Sequence, residues 1–336
     1  MPERGQRSRL YVDVQSLFGD MPVAKFVAEY LHRLPFSLAG SARGACGLGT
    51  WDAVGAMLAD AGEDAFAVRG GEWHEGEAPR DAAAARALCD EGYTIFVRHA
   101  ERHHTGLAAL ARAFEQTFLG PVNIHVFATP AGAPGFSWHY DAEDVFIIQT
   151  AGEKEYSLRK NTVNPWPLEE TLPADMRYER EQMPLMRVLL RAGDLLYIPC
   201  GYWHKADAKG LLHERGGQSP FSQSRKWGLT PEQKKATDPG TAISLAVGVM
   251  SPTAMNVYDF LRKRLVESLA WRQRLPLAGP ASPLSAAELQ STYGHLFKQL
   301  AVDLAKTFAD PRLISDFLEE LTKAAGEPPE AGEEKN

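Results

Sequence analysis

Two short segments, about sixty residues apart, hold the side chains best suited to bind a metal ion. SWHYDAEDVFIIQ contains His139 and Asp141, and AGDLLYIPCGYWHKAD contains His204. In an extended segment His139 and Asp141 point to the same side, because side chains alternate along a strand. A histidine from a distant strand can then complete one triangular face of an octahedron. Two neutral imidazoles and one carboxylate are the ligands that hold non-haem Fe(II) and leave three positions open.

Each half of this set has a simpler explanation when it is taken alone. A His-x-Asp pair occurs by chance in many proteins, and a histidine near a strand end is often only hydrogen-bonded. The context favours the metal site, because HYD precedes a strand of buried character and the turns predicted at Gly193–Asp194 and Pro199–Gly201 deliver His204 to the rim. The rival third ligand is His213, whose Gly-rich surroundings would position a ligand poorly.

Six short β-rich runs between residues 121 and 250 are separated by Gly, Pro, Asn and Asp. They predict a mainly β catalytic core, a double-stranded β-helix or jelly roll, with flanking helices. Residues 1–120 predict an α/β part beside this barrel. In it, residues 104–118 have apolar side chains at helical spacing, and Thr50 is the predicted N-cap of another helix.

Two later segments interrupt or follow the predicted barrel of residues 121–250. Residues 209–241 form an insertion rich in Gly, Ser and basic residues, which is either a solvated loop or a lid over the site. Residues 251–327 predict an α-helical C-terminal region whose amphipathic spacing shows a buried stripe without showing what covers it. Residues 328–336 are acidic and contain no apolar run, so a disordered tail is expected.

Composition narrows the classes of partner and compartment. The formal net charge of −7 gives no global attraction to nucleic acid or anionic lipid, so neither is an expected partner. Cys46, Cys89 and Cys200 are widely spaced and form no CxxC pair, which argues against a disulfide framework or a zinc knuckle. With no apolar leader at the N-terminus and no stretch long enough to span a membrane, we expect a cytoplasmic protein.

Three segments together resemble the JmjC/cupin-like Fe(II)- and 2-oxoglutarate-dependent oxygenases, in the branch that includes the ribosomal oxygenases. They are TPAGAPGFSWHYDAEDVFIIQTAGEKEYSL, RAGDLLYIPCGYWHKA and SLAVGV. The resemblance implies a cupin-like barrel, iron held by His139, Asp141 and His204, and 2-oxoglutarate and O2 converted to succinate and CO2. It implies hydroxylation of a protein or peptide side chain, with ribosomal proteins among the candidate substrates. For residues 251–327 the resemblance leaves two expectations open: a unit that forms a homodimer, as in the family, or helices that only pack on the barrel.

Within this resemblance, Lys154 falls where the family places a basic residue against the distal carboxylate of 2-oxoglutarate. A dianion needs a fixed cation in a partly dry pocket, where pairing is stronger than in water. The alternative for Lys154 is an exposed strand lysine. Tyr156 shares its strand face by alternation and is a second candidate for cosubstrate binding. His125, on the preceding strand, either helps to hold the cosubstrate or is a satisfied core histidine.

Two other functions stay open on the sequence. The same iron chemistry could act on a small molecule or a natural-product peptide. Alternatively, the chain could be a non-catalytic cupin-like binding module with a vestigial metal site, although the intact His-x-Asp…His set and Lys154 argue against this. The histidine-richer HxH…E pattern of metal-only cupins is absent.

Overall fold

The computed structural model describes residues 13–133, 137–173, 186–209 and 240–326. The chain consists of two compact units, Met1–Ser251 and Pro252–Asn336. Most of the predicted insertion, including His213, and the predicted tail 328–336 lie outside the described residues.

The described part of the first unit is built on two antiparallel sheets. Its strands are β1 (Phe36–Leu38), β2 (Ala65–Arg69), β3 (Glu72–Trp73), β4 (Thr94–Val97), β5 (Val122–Pro130), β6 (Asp144–Ala151), β7 (Glu153–Arg159), β8 (Met186–Arg191), β9 (Leu195–Ile198), β10 (Trp203–Lys209) and β11 (Thr241–Val249). The larger sheet has the order β1-β9-β6-β11-β5-β4-β2-β3, and the smaller sheet has the order β10-β7-β8. Strands β1 to β4, from the N-terminal third, therefore extend the same sheet as the later strands.

Helices cover one face of the larger sheet. They are α1 (Val14–Leu17), α2 (Val23–Glu29), α3 (Trp51–Ala61), α4 (Ala82–Asp90) and α5 (Thr105–Phe118). Thr50 accepts a hydrogen bond from the backbone N–H of Ala53, which confirms the predicted N-cap of α3. The apolar positions predicted for α5 are its buried ones: Leu107, Leu110, Ala111, Phe114 and Phe118.

Alternation along the strands divides the first unit into two cores. On β6, Phe146 and Ile148 join the core under the helices, whereas Val145 and Ile147 face the smaller sheet. The core between the sheets also contains Tyr156, Leu158, Leu190, Leu196, Ile198 and Ala246. The predicted mainly β core with flanking helices is confirmed.

The second unit is helical in its described residues. Its helices are α6 (Ala254–Leu265), α7 (Leu269–Arg272), α8 (Ala286–Phe308) and α9 (Arg312–Gly326). Ser285 and Glu288 form a capping box that starts α8. Phe260, Leu261 and Leu313 form a small buried core within this unit. Among the helices described in either unit, none is long and apolar enough to cross a membrane.

Candidate active site

The three predicted metal ligands come together at the ends of two strands. His139 lies before β6 and forms an isolated antiparallel bridge with His204 on β10. The His139 N–H donates to the His204 carbonyl at 3.0 Å, and the His204 N–H donates back at 2.8 Å. One potential ligand atom from each of His139, Asp141 and His204 lies within 4.8 Å of the other two. Nε2 of His204 lies 3.4 Å from Oδ2 of Asp141.

Backbone carbonyls fix which nitrogen of each imidazole faces the other ligands. Nδ1 of His139 lies 2.7 Å from the carbonyl of Ser137, and Nδ1 of His204 lies 3.0 Å from the carbonyl of Tyr202. A carbonyl only accepts, so Nδ1 carries the proton in both rings and Nε2 keeps the lone pair. Burial lowers the pKa of His204 to about 4, with the nearby His139 adding to the effect. The ring is therefore neutral at pH 7, as a metal ligand must be.

The triad opens into a cavity of about 220 Å³ between the two sheets. Its remaining lining residues are Thr94, Asn123, His125, Phe127, Thr129, Ala142, Glu143, Val145, Ile147, Lys154, Tyr156, Glu169, Leu172, Ala206, Ala246 and Gly248. The cavity therefore contains the three predicted cosubstrate residues, Lys154, His125 and Tyr156.

Lys154 is a buried cation, 4% exposed, on β7. It is opposite Ala208, and His204 is opposite Leu158, so the two residues lie about 13 Å apart along the paired strands. Nζ of Lys154 lies 3.4 Å from Oγ of Ser244, and no carboxylate of the described chain forms an ion pair with it. Burial lowers its pKa to about 8, while Asp207 acts in the opposite direction. An ordinary exposed strand lysine would show neither feature.

Hydroxyl groups surround this cation. Tyr156 is buried and hydrogen-bonded to Ser244, and burial raises its pKa more than that bond lowers it. Oγ1 of Thr129 lines the cavity and has no hydrogen-bond partner among the described residues. A buried hydroxyl without a partner costs free energy unless a ligand satisfies it. Thr129 and Ser244 were not singled out from the sequence, although alternation along β5 and β11 places them on the cavity face.

His125 is a neutral imidazole in the cavity wall. Burial lowers its pKa to about 4, and the nearby His99 adds to the effect. Its Nδ1 accepts a hydrogen bond from the His99 N–H at 3.3 Å, so the proton is on Nε2. Its ring also meets that of Phe96 edge to face, with centroids 5.3 Å apart.

A second polar pair lies beside Asp141 and was missed by the sequence analysis. Nδ2 of Asn123 donates to Oε1 of Glu143 at 2.6 Å, and Oδ1 of Asn123 is buried without a partner among the described residues. Burial raises the pKa of Glu143 to about 7, against the effect of the Asn123 hydrogen bond. Gly248 makes room for the pair, because a Cβ there would lie 1.8 Å from Oε2 of Glu143. These residues come together because β11, which bears Gly248, lies between β5 and β6 in the larger sheet.

Comparison with known proteins finds one matching domain family and several relatives in sequence. Residues 100–223 match the JmjC domain family. Ribosomal oxygenase 2 of Bos taurus is 38% identical over 136 residues, which are 40% of this chain and 29% of that protein. The bifunctional lysine-specific demethylase and histidyl-hydroxylase NO66 of Dictyostelium discoideum is 35% identical over 127 residues, or 37% and 24% of the two chains. The chain thus spans less than a third of these relatives.

Among solved structures, a similar one is the Escherichia coli ribosomal oxygenase YcfD in complex with cobalt and 2-oxoglutarate. It is 17% identical and has a TM-score of 0.49, with 94% of this chain and 76% of that chain covered. Over the matched residues 100–223, the chain is therefore similar to JmjC-domain proteins of the ribosomal-oxygenase kind.

Proposed function

We propose that this chain is an Fe(II)- and 2-oxoglutarate-dependent hydroxylase that acts on a protein or peptide side chain. In the proposed reaction 2-oxoglutarate and O2 become succinate and CO2. The observation that carries the proposal is one cavity lined both by two histidines with a carboxylate and by a buried lysine. That combination suits a metal ion and a small dianion side by side.

The donor set fits ferrous iron. His139 and His204 offer neutral nitrogens, and Asp141 offers an anionic oxygen, which is the 2-His-1-carboxylate set of non-haem Fe(II) oxygenases. Iron bound there supplies the activation of O2 and the oxidation of 2-oxoglutarate. The carbonyls of Ser137 and Tyr202 orient the two rings, so the protein contributes a ligand set that is fixed before the metal arrives.

Lys154 and its neighbours are proposed to hold the cosubstrate. Its ammonium group pairs with the distal carboxylate, and the hydroxyls of Thr129, Ser244 and Tyr156 surround the same region. His125 carries its proton on Nε2 and donates it to the bound cosubstrate. Charged hydrogen bonds of this kind are stronger than neutral ones in a dry pocket.

The substrate side chain is proposed to meet Asn123 and Glu143. Two oxygen acceptors lie next to Asp141, and within the described residues no cation pairs with Glu143. A side chain rich in N–H groups would satisfy both acceptors. The relatives are named as ribosomal oxygenases and a histidyl-hydroxylase. For this chain we therefore propose a ribosomal protein as the first class of substrate to test.

The proposal is tested by measuring succinate release with Fe(II), 2-oxoglutarate and O2, against peptides from ribosomal proteins and a proteome extract of the host. Mass spectrometry should find a product heavier by one oxygen atom. His139→Ala and Asp141→Ala should abolish turnover, because each removes a ligand, whereas His295→Ala, at an exposed position on α8, should not. Normal succinate production by either ligand variant contradicts the proposal.

Other outcomes favour the alternatives. If the chain binds no Fe(II) in an anaerobic titration, it is a non-catalytic module. If turnover requires a small molecule or a natural-product peptide and is absent with proteins, the same chemistry has a different substrate.

We also propose a homodimer and a cytoplasmic location. The second unit exposes large apolar side chains, including Leu269 (77%), Ile314 (68%), Phe297 (62%) and Val302 (56%). Large apolar side chains exposed in this number support a protein partner. The cysteines Cys46, Cys89 and Cys200 are all unbridged, which supports a reducing compartment.

A further inference from the structure

A buried carboxylate, Asp144, lies on the opposite face of β6 from the cavity. Val145 and Ile147 line the cavity, so alternation turns Asp144 toward the helix-covered core, where it is 1% exposed. It does not belong to the triad, and no motif in the sequence singles it out. A fully buried carboxylate is costly unless its oxygens are hydrogen-bonded.

Four donors from three separate parts of the chain satisfy Asp144. Oδ1 accepts from the hydroxyl of Tyr197 and from the Cys200 N–H at 3.2 Å. Oδ2 accepts from Nδ1 of His32 at 2.8 Å and from Oγ of Ser251 at 2.9 Å. Burial alone would raise the pKa of Asp144, but these bonds, led by that from His32, hold it below its usual value. Asp144 is therefore a buried carboxylate that stays charged and holds three separate parts of the chain together. We call this side chain with its four hydrogen bonds the Asp144 anchor.

This anchor connects the two halves of the candidate metal site. Asp144 follows Asp141 by three residues, and Cys200 precedes His204 by four. The Gly201 N–H also donates to the carbonyl of Asp141 at 2.9 Å. The turn that leads to His204 is thus tied to the segment that bears the other two ligands, and Asp144 ties both to the rest of the first unit.

His32 is held in an unusual conformation to reach Asp144. Its φ is +59°, in the left-handed region that side chains with a Cβ rarely adopt. Its backbone N–H donates to the hydroxyl of Tyr197 at 2.8 Å, while its ring donates to Asp144. Strained residues persist where the surroundings hold them and often serve a site. The side chain is half exposed, so burial does not explain its position.

We infer that Asp144, supported by His32, is a positioning residue that sets the distance between His204 and the pair His139 and Asp141. The inference rests on the proposed function, because it concerns the same metal site. Metal ligands must be held to a fraction of an ångström, and loss of a group that orients them weakens metal binding. Asp144 does this through the backbone of the turn and does not contact the metal.

The test measures the affinity of the metal-free full chain for Co(II) by its visible absorption, beside the thermal unfolding midpoint without metal. Asp144→Asn should bind Co(II) about 10- to 100-fold more weakly. His32→Gly should weaken binding in the same direction. Glycine accepts the left-handed backbone, so any loss of the unfolding midpoint in this variant comes from the lost hydrogen bond to Asp144 and not from backbone strain. The matched control is Thr150→Val, also on β6, which removes a buried hydroxyl whose single proton lies between the carbonyls of Gly49 and Ile243, away from the metal ligands.

The control separates positioning from general stability. Thr150→Val should lower the unfolding midpoint and leave the affinity for Co(II) unchanged. Unchanged Co(II) affinity in folded Asp144→Asn overturns the inference, and so does an equal loss in Thr150→Val. If Asp144→Asn does not fold, unchanged affinity in His32→Gly overturns it. A wild-type chain that binds no Co(II) contradicts the proposed function and this inference together, whereas tight wild-type binding with unaffected variants removes this inference alone.

Discussion

Lys154 illustrates how a single buried residue can indicate the charge of a ligand. An ammonium group that is 4% exposed loses most of its hydration, and this loss lowers its pKa to about 8. Its hydrogen-bond partner in the described chain is the neutral hydroxyl of Ser244. The fold tolerates this cost, which a small anion in the cavity would offset.

Replacing Lys154 by Met should remove the cation and keep most of the side-chain volume. Loss of a charged hydrogen bond costs about 1.5–3 kcal/mol, so we expect the KM for 2-oxoglutarate to rise roughly 10- to 100-fold. Steady-state succinate kinetics measure this change. Lys160→Met, at an exposed position just past β7, is the matched control and should leave KM unaltered. Equal KM values for Lys154→Met and the wild type contradict the role of Lys154.

The same lysine predicts a pH dependence. Below pH 8 Lys154 is already cationic in the ligand-free chain, and pairing with a dianion raises its pKa. Above pH 8 binding must also take up a proton, so the KM for 2-oxoglutarate should rise by up to about tenfold per pH unit. Steady-state kinetics of the wild type between about pH 7 and pH 9.5 should show the KM for 2-oxoglutarate rising with this slope. Lys154→Met should lack it, and a flat wild-type profile argues against the assignment.

At the scale of elements, the turn between β6 and β7 links the strand after the metal ligands to the strand that bears Lys154. Gly152 makes this turn with φ +65°. A Cβ at Gly152 would lie 2.7 Å from both Cα of Ala242 and the carbonyl oxygen of Thr241. Glycine is needed here for both its backbone angle and its lack of a side chain. The turn therefore passes directly against the start of β11.

Gly152→Ala should destabilise the chain more than a left-handed alanine does elsewhere. Gly70→Ala is the matched control, because its φ is +62° and nothing lies within 4 Å of its Cβ position. We expect about 1–2 kcal/mol for Gly70→Ala and a larger loss for Gly152→Ala, measured by urea unfolding. Gly152→Ala should also raise the KM for 2-oxoglutarate, since β7 must shift. Equal losses in both variants would show that the close approach to β11 is unimportant.

In the larger sheet, sequence periodicity predicts the strands and their buried faces but not the order in which the strands pair. The β-rich runs, α5 and its buried face were predicted, because local alternation and helical spacing encode them. Alternation also puts Asn123, His125, Phe127 and Thr129 on one face of β5. The order of the strands was not predictable in this way. That β1 to β4 extend the same sheet depends on pairings between segments far apart in the chain.

At the scale of the whole molecule, the two compact units differ in how well they cover their apolar side chains. The first unit has two cores, whereas the second has a small one and exposes Leu269, Phe297, Val302, Phe308 and Ile314. Surface apolar groups in such number favour association. In the proposed homodimer, a second copy of the chain covers these side chains.

The dimer is testable by light scattering after gel filtration. The wild type should have twice the mass of one chain, and Phe297→Glu with Val302→Glu should shift it toward one chain, because charges at an apolar interface are costly. Leu34→Glu, at a residue of the first unit that is 53% exposed, is the control and should keep the dimer. A monomeric wild type at micromolar concentration contradicts the proposed assembly.

The sequence by itself determined the parts that depend on local spacing. These are the shared side of His139 and Asp141, the strands and helices, the buried face of α5 and the family resemblance. Tertiary structure alone decided the rest: the backbone bridge between His139 and His204, the Asn123–Glu143 pair and the Asp144 anchor. The physical reason is that periodicity tells which side of an element avoids water. It does not tell which distant side chain will supply the hydrogen bond or the charge that a buried group then requires.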